Sequence, residues 1–364
     1  MFGFAPSASK IYGIGEGISL GGYGEMLYQD RQGASDELDF LRAVIYFGAK
    51  LSPEWLFNSE LEFEHATVSD NNDGSGDEAP GSVSVEFAYL EYRPGGRTDF
   101  GVRSGLLLVP MGFVNELHEP NVFLSANRPE LERQIIPSTW RENGIGVFGE
   151  TDNWNWRAYA INGFDAAGFD AGGLRGGRQS GGQTLADDFA LVGRVDYQGT
   201  PGLLVGGSAY FGGAGQDNAG FGTTTTTLFE GHIDWRPGSW RTRALGVLGS
   251  VDDVEQLNAA QGFVGDQSVG EDLEGYYVEI GYDVMSHIAP ESNQELVPFA
   301  RYERFDTQAS VPDGFTRDPA NDRELLTVGV SWLPTPAVAI KADFVDAADE
   351  NGNDLFRISI GYAF

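Results

Sequence analysis

Charged side chains recur at every second position along many short stretches of this chain. In WLFNSELEFE, Trp55–Glu64, the carboxylates Glu60, Glu62 and Glu64 share one face, opposite Trp55, Phe57, Leu61 and Phe63. The same alternation puts Arg103, Arg157, Arg194, Arg241, Arg243, Arg301, Lys341 and Arg357 on the polar faces of their stretches. With them fall Glu230, Asp234, Glu279, Glu303 and Asp343. Ionised groups at this density have no place in a dry core; they need water or one another. The chemistry open to them is the handling of small ions, and arginine's planar fork can meet two oxygens of an oxyanion at once.

Covalent chemistry finds less support. Of the four histidines, His65 falls on an apolar register, His118 lies in a long connection and His287 in a turn. Only His232 faces the polar side, between Glu230 and Asp234; a hydrolytic triad would need a serine beside it. The chain has no G-x-S-x-G, no phosphate-binding glycine loop and no cysteine, so neither an enzyme nor a bound cofactor is expected. SDNNDGSG, with Asp77 directly after it, partly imitates a calcium loop through Asp70, Asp73 and Asp77, but its ligand spacing is incomplete and no metal site is expected.

The elements that carry these charges are strands. The last stretch shows the pattern best: Phe356, Ile358, Ile360, Tyr362 and Phe364 point one way, and Leu355, Arg357, Ser359, Gly361 and Ala363 the other. About sixteen such stretches occur, each near the roughly 10 residues that a tilted membrane strand needs. Their connections alternate long and short, as an antiparallel meander through a bilayer requires. Trp55, Trp154, Trp156, Trp235, Trp240 and Trp332 sit beside short turns, where an interfacial aromatic girdle would lie. No apolar run reaches the ~18 residues of a membrane helix. Acids outnumber bases 54 to 23, a net charge of −31, which argues against nucleic-acid partners. The expected fold is therefore all-β: a transmembrane antiparallel up-and-down barrel of about sixteen strands, with short periplasmic turns and long external loops. Residues 1–17 would be an N-terminal periplasmic segment and 18–364 a single barrel.

The connection Pro110–Trp140 is the third on the long side and too long for a simple link. It carries apolar anchors, among them Phe113, Val114, Phe123, Leu124, Ile135 and Ile136, and the charges Glu116, Glu119, Arg128, Glu130, Glu132 and Arg133, with Arg141 just beyond. At this point the chain resembles the porins, whose third external loop folds into the lumen and narrows it. AYLEYRP, Ala88–Pro94, and NRPELERQIIPSTWRENGIGVFGE, Asn127–Glu150, resemble the phosphate-selective porin family. In the terminal strand, the final Phe364 resembles the closing residue that outer-membrane assembly machinery reads.

The resemblance implies a passive channel for small hydrophilic solutes in the outer membrane of a Gram-negative bacterium, with lipid and lipopolysaccharide around it. It also implies a homotrimer. Arg128, Arg133 and Arg141 would lie where the loop meets the permeation path, together with Glu116, Glu130 and Glu132. One departure is plain: the chain has only Lys10, Lys50 and Lys341, where phosphate-specific members use lysine clusters. Global acidity favours cations, whereas the wall arginines favour anions. Groups at the constriction outweigh loop charges that salt screens beyond about 8 Å, so the expectation is a weak anion preference that extends to phosphate or other oxyanions. The alternatives are a cation-preferring or general porin, and a structural barrel with a plugged lumen.

Overall fold

A computed structural model describes residues 6–66, 81–97, 99–347 and 354–364. The calcium-loop likeness at Asp70, Asp73 and Asp77 lies outside the described residues. The first eight strands are β1 (Gly17–Arg31), β2 (Glu37–Lys50), β3 (Trp55–Glu64), β4 (Val83–Tyr92), β5 (Phe100–Leu108), β6 (Arg141–Glu150), β7 (Trp154–Asn162) and β8 (Phe189–Thr200). The others are β9 (Leu203–Gly213), β10 (Thr225–Trp235), β11 (Trp240–Val251), β12 (Asp272–Tyr282), β13 (Glu295–Ser310), β14 (Asp322–Thr335), β15 (Val338–Ala347) and β16 (Leu355–Ala363). Each pairs antiparallel with its sequence neighbours, and β16 pairs with β1 to close the ring. This is the expected sixteen-stranded, all-antiparallel barrel.

Alternation decides what each face meets. Ile18, Leu20, Ile45, Phe47, Phe356 and Ile358 are exposed on the outer wall. Trp55, Trp154, Trp235, Trp240 and Trp332 are exposed there too, whereas Trp140 is fully buried. Among the described residues no helix is long and apolar enough to cross a membrane. In β4 the alternation breaks. A bulge sets Glu60 opposite Phe87 but Leu61 opposite Val85. The extra residue, Glu86, shifts the phase, so Glu86 and Glu91 are both buried on the inner side although they are an odd number of positions apart.

The lumen is more filled than a water-filled wall of charges implies. Residues 109–140, between β5 and β6, pack against the inner wall, and Val109, Met111, Val114, Ile135, Ile136 and Trp140 are completely buried. A short helix, α1 (Glu130–Gln134), lies within the segment. The wall makes room at glycines: a Cβ on Gly361 would stand 2.4 Å from Pro120. Residues 7–11 also lie against the inner wall. Ile11 is 1% exposed and covers Gly48 so closely that a Cβ there would meet its Cγ1 at 2.9 Å. Glu119 joins the two insertions, accepting the backbone N–H groups of Ser7 at 2.8 Å and Ala8 at 3.2 Å.

Candidate functional site

The inner wall resolves into networks that tie both insertions to the strands. Beneath the N-terminal residues, Glu91 pairs with Arg93 at 2.6 Å and with Arg103 at 2.9 Å. The Tyr12 hydroxyl donates to Glu91 at 3.1 Å, so Arg103 stands under this segment. On β1–β4, Arg42 bridges Glu25 and Glu62 at 3.7 and 3.2 Å, and Arg141 pairs with Glu86 at 2.8 Å. His118 gives its Nδ1 side to the Asn115 carbonyl and faces Glu60 with Nε2 at 3.1 Å. Burial, aided by Arg128, pushes its imidazole down to about 4, so at neutral pH it is uncharged.

The densest network lies on β7–β10. Arg157 donates to Glu116 at 2.8 Å and to Asp196 at 3.2 Å, and Arg194 Nε donates to both Asp196 oxygens at 2.9 and 3.0 Å. The two ring nitrogens of His232 face Glu230 at 2.7 Å and Asp196 at 2.8 Å. The nearby Ser208 hydroxyl donates to Glu230 instead, at 2.6 Å. The arrangement is a charge network holding Glu116, and thereby the loop, to the wall.

Glu132 is fully buried. It accepts the Phe113 and Val114 N–H groups at 2.7 and 2.8 Å and the Tyr277 hydroxyl at 2.8 Å, so it staples the loop to itself and to β12. Arg175 and Arg178, in the glycine-rich connection after β7, escaped the sequence reading. Arg178 donates to the Pro137 carbonyl at 3.0 Å, and Arg175 to the Arg133 carbonyl at 3.1 Å. Burial pushes these guanidinium groups down to about 10 and about 9. Nothing in GGLRGGRQ marks them in advance, because their acceptors are distant backbone carbonyls.

Open space remains on the β13–β16 side. A hollow of about 510 Å³ near the long-loop rim is lined by Arg31, Arg128, Arg133, Arg301, Arg323 and Arg357, with Glu130 and Glu303 as the acids among the described residues. Arg133 and Arg323 approach Glu130 at 2.8 and 3.6 Å, and Arg128 donates to the Thr139 hydroxyl at 3.3 Å. A second hollow, about 300 Å³ and nearer the tight turns, is lined by the bases Arg236, Arg241 and Arg243 and the acids Asp234, Glu279 and Glu295. Residues 123–126 lie between them: Arg301 donates to the Ser125 hydroxyl, Lys341 to the Ser125 carbonyl at 2.9 Å, and Ala126 N–H to Asp343 at 2.6 Å. Of the residues singled out in the sequence, Arg128, Arg133, Glu130, Arg301 and Arg357 border the first hollow. Arg241 and Arg243 border the second, and Lys341 sits at the junction. Among the described residues no three His, Asp or Glu side chains are grouped to hold a metal ion.

A closed ring of sixteen antiparallel strands with a long connection tucked inside is a β-barrel of the porin architecture. The solved structures similar to it share that fold. Salmonella typhi OmpF in complex with daunomycin matches with a TM-score of 0.60 and 12% identity, over 96% of this chain and 98% of that one. A loop L8 deletion mutant of OmpT, an outer membrane protein of Vibrio cholerae, matches at 0.58 with 13% identity over 95% and 99%. The trimer form of in-vitro folded OmpT matches at 0.56 with 12% identity, over 95% and 99%. No family model matches the chain. It is 38% identical over 374 residues to an uncharacterized protein of Aquifex aeolicus strain VF5, covering 100% of this chain and 83% of that relative, and it belongs to the same family.

Proposed function

We propose that this protein is a passive outer-membrane channel for small hydrophilic solutes, with a weak preference for anions that extends to oxyanions such as phosphate. The long-loop rim would be external and the tight turns periplasmic. The observation that carries the reading is the hollow of about 510 Å³, where six arginines face two glutamates. A solute leaving bulk water there meets, among the described lining residues, six guanidinium groups against two carboxylates, and salt screens charges beyond about 8 Å. The balanced second hollow keeps the preference weak. The trimer form of OmpT supports assembly as a homotrimer.

The test is reversal potential in planar bilayers under a potassium chloride gradient. An anion-selective value is expected, and replacing Arg128 and Arg323 with alanine should move it toward the cation side by removing two of the six positive charges. A cation-selective wild type would overturn the preference. A second reading, a plugged structural barrel, is favoured by the contact of Ser125 with Arg301 and Lys341; absence of conductance steps from folded protein would establish it.

A further inference from the structure

Charges line much of the inner wall, yet aliphatic side chains interrupt them where β14, β15 and β16 border the hollow of about 510 Å³. Leu325 on β14, Val345 and Ala347 on β15 and Leu355 on β16 point inward, since the alternation leaves Leu326, Phe344 and Phe356 exposed on the other face. Leu325 is laddered opposite Ala347, and Val345 opposite Leu355. Residues two apart on a strand share a face, so the four side chains form one contiguous patch. All four line the hollow. Two strand spacings of about 4.8 Å separate β14 from β16, so the patch is roughly 10 Å across.

Arg323 stands at the long-loop end of this patch. It lies two residues before Leu325 and lines the same hollow. Its guanidinium is 5.7 Å from the centre of the Phe305 ring, and its side chain is 28% exposed. Glu130, at 3.6 Å, is beyond hydrogen-bond distance and is itself taken by Arg133 at 2.8 Å and Gln134 at 2.9 Å. Among the described residues the Arg323 guanidinium donates no hydrogen bond. By contrast, Arg301 is bound to Glu303 and Arg357 to Asp343, each at 2.7 Å. The hollow therefore offers one accessible, undersupplied fork beside an aliphatic floor.

An inorganic anion could use the fork but would gain nothing from the floor. Removing apolar surface from water is favourable in proportion to its area, and solute sites combine an apolar lining with a few polar groups that set orientation. A carboxylate matches the planar fork, and a short hydrocarbon chain attached to it reaches the floor. We propose that the hollow selects short-chain aliphatic carboxylates, with Arg323 holding the head and Leu325, Val345, Ala347 and Leu355 the tail. This deepens the channel reading by naming its solute class and rests on it for transport, whereas binding stands without it.

The test is titration of the full chain in lipid nanodiscs with sodium acetate, butyrate and hexanoate, with empty nanodiscs as the blank. Affinity should rise about two- to fourfold for each added CH₂ that reaches the floor. Arg323→Gln should weaken all three about tenfold, the worth of a hydrogen bond to a charged group. Leu355→Asn keeps every charge and changes a side chain that is only half-buried; it should weaken hexanoate about fivefold and acetate far less. No binding of hexanoate, equal affinity for acetate and hexanoate, or equal losses for both in Leu355→Asn would overturn the selection even if bilayers show conductance steps. Length-dependent binding by a protein that gives no conductance steps would sink the channel reading and leave the site standing.

Discussion

Valine at position 22 should stop the barrel from closing. Gly22 and Phe364 exchange both backbone hydrogen bonds, at 3.0 and 2.8 Å, and this pair ends the β1–β16 seam. A Cβ on Gly22 would stand 2.3 Å from the Val44 carbonyl oxygen and 2.8 Å from the Phe364 ring. The ring can swing into lipid, but the carbonyl belongs to β2, which is laddered to β1 along its length. Relieving the clash means shifting a strand held on both sides. Overpacking of this kind costs about 1–3 kcal/mol before the lost seam bonds are counted, so the folding equilibrium constant should fall at least about fivefold. The measurement is the folded, fast-migrating band of unboiled protein after refolding into lipid. Gly231→Val is the control, because its Cβ would meet nothing within 4 Å. A Gly22→Val chain that folds as well as the Gly231→Val chain would refute the argument.

That seam illustrates what alternation alone discloses. All sixteen strands could be read because lipid demands an apolar residue at every second outward position, as in Phe356, Ile358, Ile360 and Tyr362. Charges two residues apart on one inner face, such as Arg194 with Asp196 and Arg301 with Glu303, follow from the same period. Where a bulge changes the phase, as at Glu86, the period misleads, since one inserted residue leaves no mark in composition. Contacts of the insertions are a different matter. Phe113, Ile135 and Ile136 announce a segment that buries itself, but which wall residues receive it depends on three-dimensional register. The N-terminal residues gave less notice still: Ile11 and Tyr12 are two apolar residues in a row, with no period to read. Their counterpart was present as Gly48 on the inner face of β2, and only a partner gives such a glycine its meaning.

Register also makes Arg194 the residue on which the loop's anchorage depends most. It is 4% exposed, donates to both oxygens of Asp196, reaches the Gly112 carbonyl and stands 3.8 Å from Glu116. Its removal would leave Glu116, Asp196 and Glu230 facing only Arg157 and His232. Breaking a buried network by deleting one partner costs about 3–5 kcal/mol, most of it the uncompensated charge left behind. Arg194→Ala should therefore lower stability by about that amount in urea titrations of the liposome-folded protein. It should also free residues 110–116, so that current fluctuations grow in the bilayer. Arg194→Lys restores the charge without the planar fork; it should recover much of the stability but not the quiet current. Should Arg194→Ala unfold at the wild-type urea concentration with unaltered current noise, the loop must be held by its apolar anchors and the Glu132 staple, and the β7–β10 charges would be only a solvated wall.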